Sequence, residues 1–320
     1  MCHSFCELGY DDTGVMCMLI WIAVVLVVLI LAVSYAGYWI AFYNPVHRHQ
    51  ETLVIRGKRD PDCLEELCRE MAQQPFEQVF ITAHDGIRLS ARYYHRNDTG
   101  PIHVQFHGYR GSGVRDFCGV HGICKKMGIS TLVVDQRAHG LSGGNTMTFG
   151  ILERYDCLSW ANYVRERFGS NREIYLSGVS MGAATVLMAS SLPLPENVSG
   201  IIADCPYSSP GVIIRKVISD VRFPAMLVYP FVAFGAFVFG GFRVWEESAV
   251  HAVSRTRIPV LLIHGSEDKY VPVEMSMEIF EKSAGKRYLE IFPGAGHGGS
   301  CVTDPVRYER ILRSFMDDCK

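Results

Sequence analysis

The chain opens on an unbroken apolar run. Residues 15–42 carry no Asp, Glu, Lys or Arg, and 15–33 read VMCMLIWIAVVLVVLILAV. A helix of about 20 such residues spans the hydrocarbon of a bilayer. Tyr35, Tyr38, Trp39 and Tyr43 follow, where an interfacial aromatic belt would sit. A cleaved signal peptide would have a basic start, a shorter apolar stretch and a small-x-small cleavage site. This start has Glu7, Asp11 and Asp12 and no Lys or Arg. The pattern therefore predicts an uncleaved membrane anchor over 15–42, behind a tail of residues 1–14. The cations Arg48, Arg56, Lys58 and Arg59 come after the run, which by the positive-inside rule puts the C-terminal side in the cytoplasm.

Residues 43–75 read as a connector. Asn44-Pro45 ends the anchor helix. Asp60-Pro61 starts another, with Asp as N-cap and Pro in the first turn, over 62–73. Leu64, Leu67, Cys68 and Met71 give that helix one apolar face, to pack on the domain or on the membrane surface. From residue 76 the pattern changes to short apolar runs alternating with helical stretches. Runs at 78–82 and 88–94 flank the turn His84-Asp85-Gly86. Further strands are predicted at 102–106, 131–135, 173–177, 198–204, 259–264 and 288–292. Helices are predicted ending near 127, over 153–168, after residue 182, and over 273–283 and 305–316. Such alternation implies an α/β domain, 76–320, with a mostly parallel sheet covered by helices on both faces.

One stretch inside this domain carries candidate chemistry. Gly178-Val179-Ser180-Met181-Gly182 lies between a strand pattern and a run of helix formers. That is a strand, a sharp turn and a helix with a serine at the corner. A serine hydroxyl near neutral pH is a poor nucleophile without a base in reach and a carboxylate to orient that base. Two downstream strands end in suitable groups: 259–264 runs into Gly265-Ser266-Glu267-Asp268, and 288–292 into a small-residue loop bearing His297. Carboxyl ends of parallel strands share one sheet edge, so the three residues can converge. Glu267 is the rival for the acid, and Asp268 could serve only as a helix N-cap.

These ordered motifs resemble those of the α/β-hydrolases. His107-Gly108-Tyr109-Arg110-Gly111 resembles the oxyanion loop. Asp135-Gln136-Arg137-Ala138-His139-Gly140-Leu141-Ser142 resembles the loop D-x-R-G-H-G-x-S, with Ala138 in place of the usual glycine. Gly265 to Pro272 matches the acid-loop pattern G-x-x-D-x-x-V-P. The resemblance covers about residues 76–319 and is nearest to membrane-anchored members described as serine-aminopeptidase-like or esterase-like. It implies Ser180 as nucleophile, Asp268 as acid and His297 as base, with an oxyanion hole from the backbone N–H groups of Tyr109 and Met181. His107 and His139 are expected to brace loops by hydrogen bonding. The expected activity is hydrolysis of carboxylic esters, acyl or lipid-like. Peptidase activity of the aminopeptidase-like kind is an alternative, and a catalytically idle membrane-bound binding module is another.

Composition narrows the partners. A net charge of −2 over 320 residues gives no field for nucleic acid. No H-E-x-x-H or C-x-x-C pattern occurs, so neither a metal nor a cofactor is expected. The 11 cysteines form an odd, scattered set that suits a reducing compartment. Residues 205–257 read as an insertion containing a second uncharged run, 223–242. A single crossing there would put Ser180 and the pair Asp268 and His297 on opposite sides of the bilayer. Pro224, Pro230 and the glycines should also break the run into short pieces. It is therefore expected to be a cap of apolar helices over the site, with Phe223, Phe231, Phe234 and Phe237 as candidates to bind an acyl chain or to dip into lipid.

Overall fold

The computed structural model describes residues 12–45 and 62–320; the cations at 48–59 and the Asp60-Pro61 helix start lie outside them. Helix α1 (Asp12–Ala41) is 30 residues long and uncharged after its first residue. Its stretch Thr13–Ala41 is long and apolar enough to cross a membrane. Helix α2 (Asp62–Ala72) follows, and then the strands and helices of the domain. In chain order these are β1 (Glu77–Thr82), β2 (Arg88–Tyr94), β3 (Ile102–Phe106), α3 (Gly113–Lys126), β4 (Ser130–Asp135), α4 (Glu153–Phe168), β5 (Ile174–Val179), α5 (Met181–Ala189) and β6 (Val198–Asp204). Three helices occupy the insertion: α6 (Pro210–Asp220), α7 (Ala225–Gly240) and α8 (Ala249–Val253). The chain then completes β7 (Val260–Gly265), α9 (Val273–Lys282), β8 (Arg287–Phe292), α10 (Ser300–Thr303) and α11 (Pro305–Asp318).

The eight strands form one sheet in the order β1-β2-β4-β3-β5-β6-β7-β8. The pairs β1–β2 and β2–β4 are antiparallel and all later pairs are parallel. Strands β3, β5 and β7 are buried along their whole length, which is why they read as continuous apolar runs. Alternate residues feed two cores. Ile174, Leu176, Val260 and Leu262 pack with Trp160 and Val164 of α4 and Val186 and Leu187 of α5. Tyr175, Val179, Leu261 and Ile263 pack on the other face with Phe117 and Ile123 of α3 and Leu312 and Phe315 of α11. The period of two along a strand thus sorts the helices into two layers. The apolar face of α2 packs on the domain: Cys68 and Met71 meet Tyr94, Cys118 and Val133.

A third core joins α1 to the domain. Tyr38 and Phe42 are buried with Val232, Ala233 and Ala236 of α7, with Phe149 and Tyr207, and with Met181 at the start of α5. Backbone bonds extend the seam, from Asn44 N to Asn145 O at 2.8 Å and from Met147 N to Phe42 O at 2.8 Å. The last turn of the apolar helix is therefore built into the domain. Against expectation, α7 of the insertion runs unbroken through Pro230. Proline there forfeits one bond, to the carbonyl of Met226. Val232, Gly235 and Ala236, packed beyond it against α1, keep the second half in line.

Candidate active site

The turn after β5 is tight enough to dictate its residues. A Cβ on Gly182 would lie 1.8 Å from Phe106 O, and one on Gly178 would lie 2.2 Å from Gly182 C. Between them Ser180 sits at φ 54° and ψ −112°, a backbone region that costs on the order of 1–3 kcal/mol for a residue with a side chain. The turn is held by Ser180 N donating to Asp204 O at 2.8 Å and Ala184 N to Ser180 O at 3.0 Å. The strained corner aims the hydroxyl across the carboxyl ends of the parallel strands.

There it meets the two residues expected from the downstream strands. Ser180 Oγ lies 2.9 Å from His297 Nε2, and His297 Nδ1 lies 2.7 Å from Asp268 Oδ2. Asp268, in the loop just after β7, has a fully covered side chain, whereas that of His297 is 30% exposed. Its Oδ1 accepts the N–H groups of Tyr270 at 2.8 Å and Val271 at 2.9 Å. On Oδ2 it also faces His264 Nε2, 3.3 Å away. Burial alone would push this carboxyl up, but the donated bonds from His264, His297 and Val271 outweigh it and hold it well below the usual carboxylate range. The ionised acid fixes the proton of His297 on Nδ1 and leaves Nε2 free to accept from the serine. Glu267 is exposed and donates its backbone N–H to Ala295 O at 2.9 Å; the geometry joins Asp268, not Glu267, to the histidine.

Tyr109 lines the cleft with Ser180, and a Cβ on the neighbouring Gly108 would lie 3.4 Å from Ser180 Cβ. Met181 is the first residue of α5, where a helix leaves its N–H without an intrahelical partner. The loop bearing Tyr109 is braced by a residue that the motif does not announce, Asp116 of α3. Its Oδ2 accepts Gly108 N–H at 2.7 Å. His107 is buried and its pKa is lowered to about 4, so the neutral ring donates from Nδ1 to Gly108 O at 2.8 Å and accepts from Gln136 N at 3.2 Å. The second loop is braced by acids from elsewhere in the chain: Arg137 pairs with Asp156 at 2.6 Å and Asp85 at 2.9 Å, and His139 Nδ1 bonds Arg137 O at 2.9 Å. Ala138 takes a left-handed φ of 61°, the conformation for which glycine is the ordinary choice.

The loop also touches the apolar N-terminal helix. Tyr109 Oη donates to Ala41 O at 2.9 Å, and Arg110 Nη2 donates to Ile40 O at 3.0 Å and Tyr43 O at 3.4 Å. These three carbonyls belong to the last turn of α1 and the residues just after it, where helix carbonyls lack intrahelical donors. Nothing in the sequence motif signals this contact.

Asp204, at the end of β6, is a second missed residue. It is buried immediately before the insertion and its Oδ1 accepts Ser300 Oγ at 3.2 Å, tying the loop after His297 to the sheet. Burial raises its carboxyl to about 7. The neighbouring Cys205 Sγ, an Asp268 oxygen and a His297 nitrogen lie within 4.8 Å of one another. Burial raises the Cys205 thiol far above its ordinary range, and Asp268 and His297 are held in the hydrogen-bonded chain with Ser180.

A cleft of about 450 Å³ opens over Ser180 and His297. Its apolar walls come from Val120 of α3, Val179, Val302 of α10 and Leu64 of α2. None of Phe223, Phe231, Phe234 or Phe237 lines it. Phe223, Phe234 and Phe237 are exposed and Phe231 is half-buried. The four therefore do not bind an acyl chain in this cleft, contrary to expectation. α7 packs Val232, Gly235 and Ala236 against α1, and none of its side chains lines the cleft.

Comparisons with known proteins agree with this architecture. The chain is 25% identical over 262 residues to the uncharacterized protein YqkD of Bacillus subtilis, covering 82% of this chain and 86% of that one. Among solved structures it superposes on the Pyrococcus furiosus esterase Pf2001 with a TM-score of 0.60 at 23% identity, over 82% of this chain and 95% of that one. It superposes on Est1E from Butyrivibrio proteoclasticus, in a structure with bound ferulic acid, with a TM-score of 0.58 at 21% identity, over 75% and 98% of the two chains. Residues 81–311 match the model of the alpha/beta hydrolase family; with the serine at a strand–helix corner of a mostly parallel sheet, this chain belongs to the α/β-hydrolase family.

Proposed function

We propose that the protein is a membrane-anchored serine hydrolase that cleaves carboxylic esters. One observation carries the reading: the continuous hydrogen-bonded path from Ser180 Oγ through His297 to Asp268, 2.9 and 2.7 Å long, at the floor of an open cleft. Ser180 Oγ attacks the ester carbonyl carbon while His297 Nε2 takes its proton. The carbonyl π pair moves to oxygen, where the N–H groups of Tyr109 and Met181 receive the charge. Asp268 stabilises the imidazolium that forms. Collapse of the tetrahedral intermediate breaks the C–O bond, and the departing alkoxide takes the proton from Nε2. Water then gives a proton to His297 Nε2 as its oxygen attacks the acyl carbon; collapse breaks the bond from that carbon to Ser180 Oγ, Oγ takes the proton back from Nε2, and a carboxylic acid leaves.

The helix α1, uncleaved, would hold this site at a bilayer, and esters of acyl chains or lipids are the substrates that such a position favours. The cations at 48, 56, 58 and 59 favour a cytoplasmic catalytic domain. The family relationship and the esterase neighbours support hydrolysis as the reaction class. The test is hydrolysis of p-nitrophenyl esters by the full chain in detergent. Ser180→Ala should keep its circular dichroism spectrum and lose on the order of 10⁴ or more in kcat. A folded variant that keeps most of the activity would remove Ser180 from the reaction.

A further inference from the structure

Helix α7 has no polar side. Its sixteen residues AMLVYPFVAFGAFVFG contain no charge, and a helix apolar all round is ordinarily buried on every side or surrounded by lipid. This one is buried on one side only. Val232, Ala233 and Ala236 are covered, while Met226, Leu227, Phe234, Phe237 and Val238 are exposed, Met226 at 90% and Phe237 at 47%. Those five recur at the spacing of one helical face. Phe223, just before the helix, extends the stripe, giving a length of about 22 Å at 1.5 Å per residue. Contiguous apolar surface of this extent marks an interaction site.

The covered side shows where the stripe lies. α7 crosses α1 at small residues: a Cβ on Gly235 would be 2.2 Å from Ser34 O, and one on Gly37 would be 3.1 Å from Val232 Cγ2. Phe239 meets Tyr35 edge-on, with ring centroids 5.1 Å apart. Close approach through small residues is how helices pair within membranes. If the uncharged stretch from residue 15 fills a hydrocarbon layer of about 30 Å, then Ser34 to Tyr38 lie at its boundary. Residues flanking α7 fit that depth, since Arg222 and Arg243 are exposed at its two ends and no acid lies between them. Phe239 and Tyr35, which meet there, are both exposed, so apolar surface runs from α7 onto α1, where Val33 and Ile40 are also uncovered.

We propose that α7 is a second membrane element, lying in the bilayer interface beside the anchor with Met226, Leu227, Phe234, Phe237 and Val238 in contact with lipid. The occupant of the stripe is the bilayer that α1 enters. Through the bonds of Tyr109 and Arg110 to the last turn of α1, the two helices hold the mouth of the cleft at the level of lipid headgroups. The proposal rests on the reading of α1 as an anchor, and its test separates the two. The full chain, carrying a photoreactive benzophenone residue at Leu26, Met226, Phe237 or Met277 in separate preparations, is reconstituted into vesicles of phosphatidylcholine and phosphatidylglycerol and irradiated. Mass spectrometry then scores lipid adducts. Leu26 reports on the anchor, and Met277, exposed on α9, serves as the background. Adducts at Met226 and Phe237 about fivefold or more above Met277, alongside adducts at Leu26, are expected of a lipid-seated stripe. Adducts at Leu26 with only background at Met226 and Phe237, or cross-links from Phe237 to a second copy, would overturn the proposal and leave the anchor standing. Background at Leu26 as well would overturn both.

Discussion

Replacing Asp268 by Asn changes one atom and reverses the electrostatics of the site. The carboxylate accepts four donors: the N–H groups of Tyr270 and Val271 on Oδ1, and His297 and His264 on Oδ2. In the amide, the carbonyl oxygen still serves Tyr270 and Val271, which fixes the amide NH₂ in the place of Oδ2. Two donors then face the imidazoles. His264 has an alternative, since its Nε2 already reaches Val271 O at 2.9 Å. His297 does not, and it must turn its bare nitrogen to the amide and its N–H to Ser180. The serine then has no acceptor for its proton, and the imidazolium loses its counter-charge. The expected loss in kcat is on the order of 10⁴, about 5.5 kcal/mol of transition-state stabilisation. The assay is steady-state ester hydrolysis by the full chain in detergent, with Glu267→Gln as the control. Glu267 is exposed, and its change should stay within about twofold. An Asp268→Asn enzyme that keeps a tenth or more of its kcat, or a larger loss at Glu267, would refute the reasoning.

Tyr109→Phe keeps the backbone N–H offered to the oxyanion and removes only the hydroxyl bond to Ala41 O. If the last turn of α1 positions that loop, kcat should fall roughly five- to tenfold with KM nearly unchanged, the mark of an interaction made in the transition state. An unchanged kcat would mean the contact is only structural. Asp204→Asn tests a pH effect on stability. The Asp204 carboxyl is raised by burial from 3.8 to about 7, so between these values the folded chain binds a proton that the unfolded chain has lost. Wild-type stability from this group therefore declines as pH rises from about 4 to 7. The neutral amide removes that decline, so Tm of the variant relative to wild type should be higher at pH 8 than at pH 5. A relative Tm that does not move with pH would show that Asp204 keeps its ordinary ionisation.

The parts of the fold read from local pattern are those whose physics is local. Strands β2, β3 and β6 and helix α4 fall at the expected residues, because fully buried strands and turn glycines leave continuous runs and breaks in the chain. The serine turn was legible because Gly178 and Gly182 are the residues that its backbone contacts permit. What escaped was long-range. Asp116 reaches Gly108 from a helix that reads as an ordinary amphipathic segment. Asp204 looks like a strand end until Ser300 arrives beside it. Tyr109 and Ala41 are 68 residues apart, and no motif connects them. That the phenylalanines of the insertion lie outside the cleft escaped for another reason. α7 is apolar on every side, so its sequence gives no sign of which side faces inward. Packing of Gly235 and Ala236 on α1 decides it.

If Ser180 is the nucleophile of a hydrolase, a covalent inhibitor should be captured there. A fluorophosphonate phosphonylates only a serine whose proton is being removed at the moment of attack, and the product is stable. Incubating the full chain with the reagent and mapping the adduct by peptide mass spectrometry should find a single modification, on Ser180, absent from Ser180→Ala and slowed strongly in Asp268→Asn. Modification at another serine, or labelling of Ser180→Ala at the wild-type rate, would contradict the account.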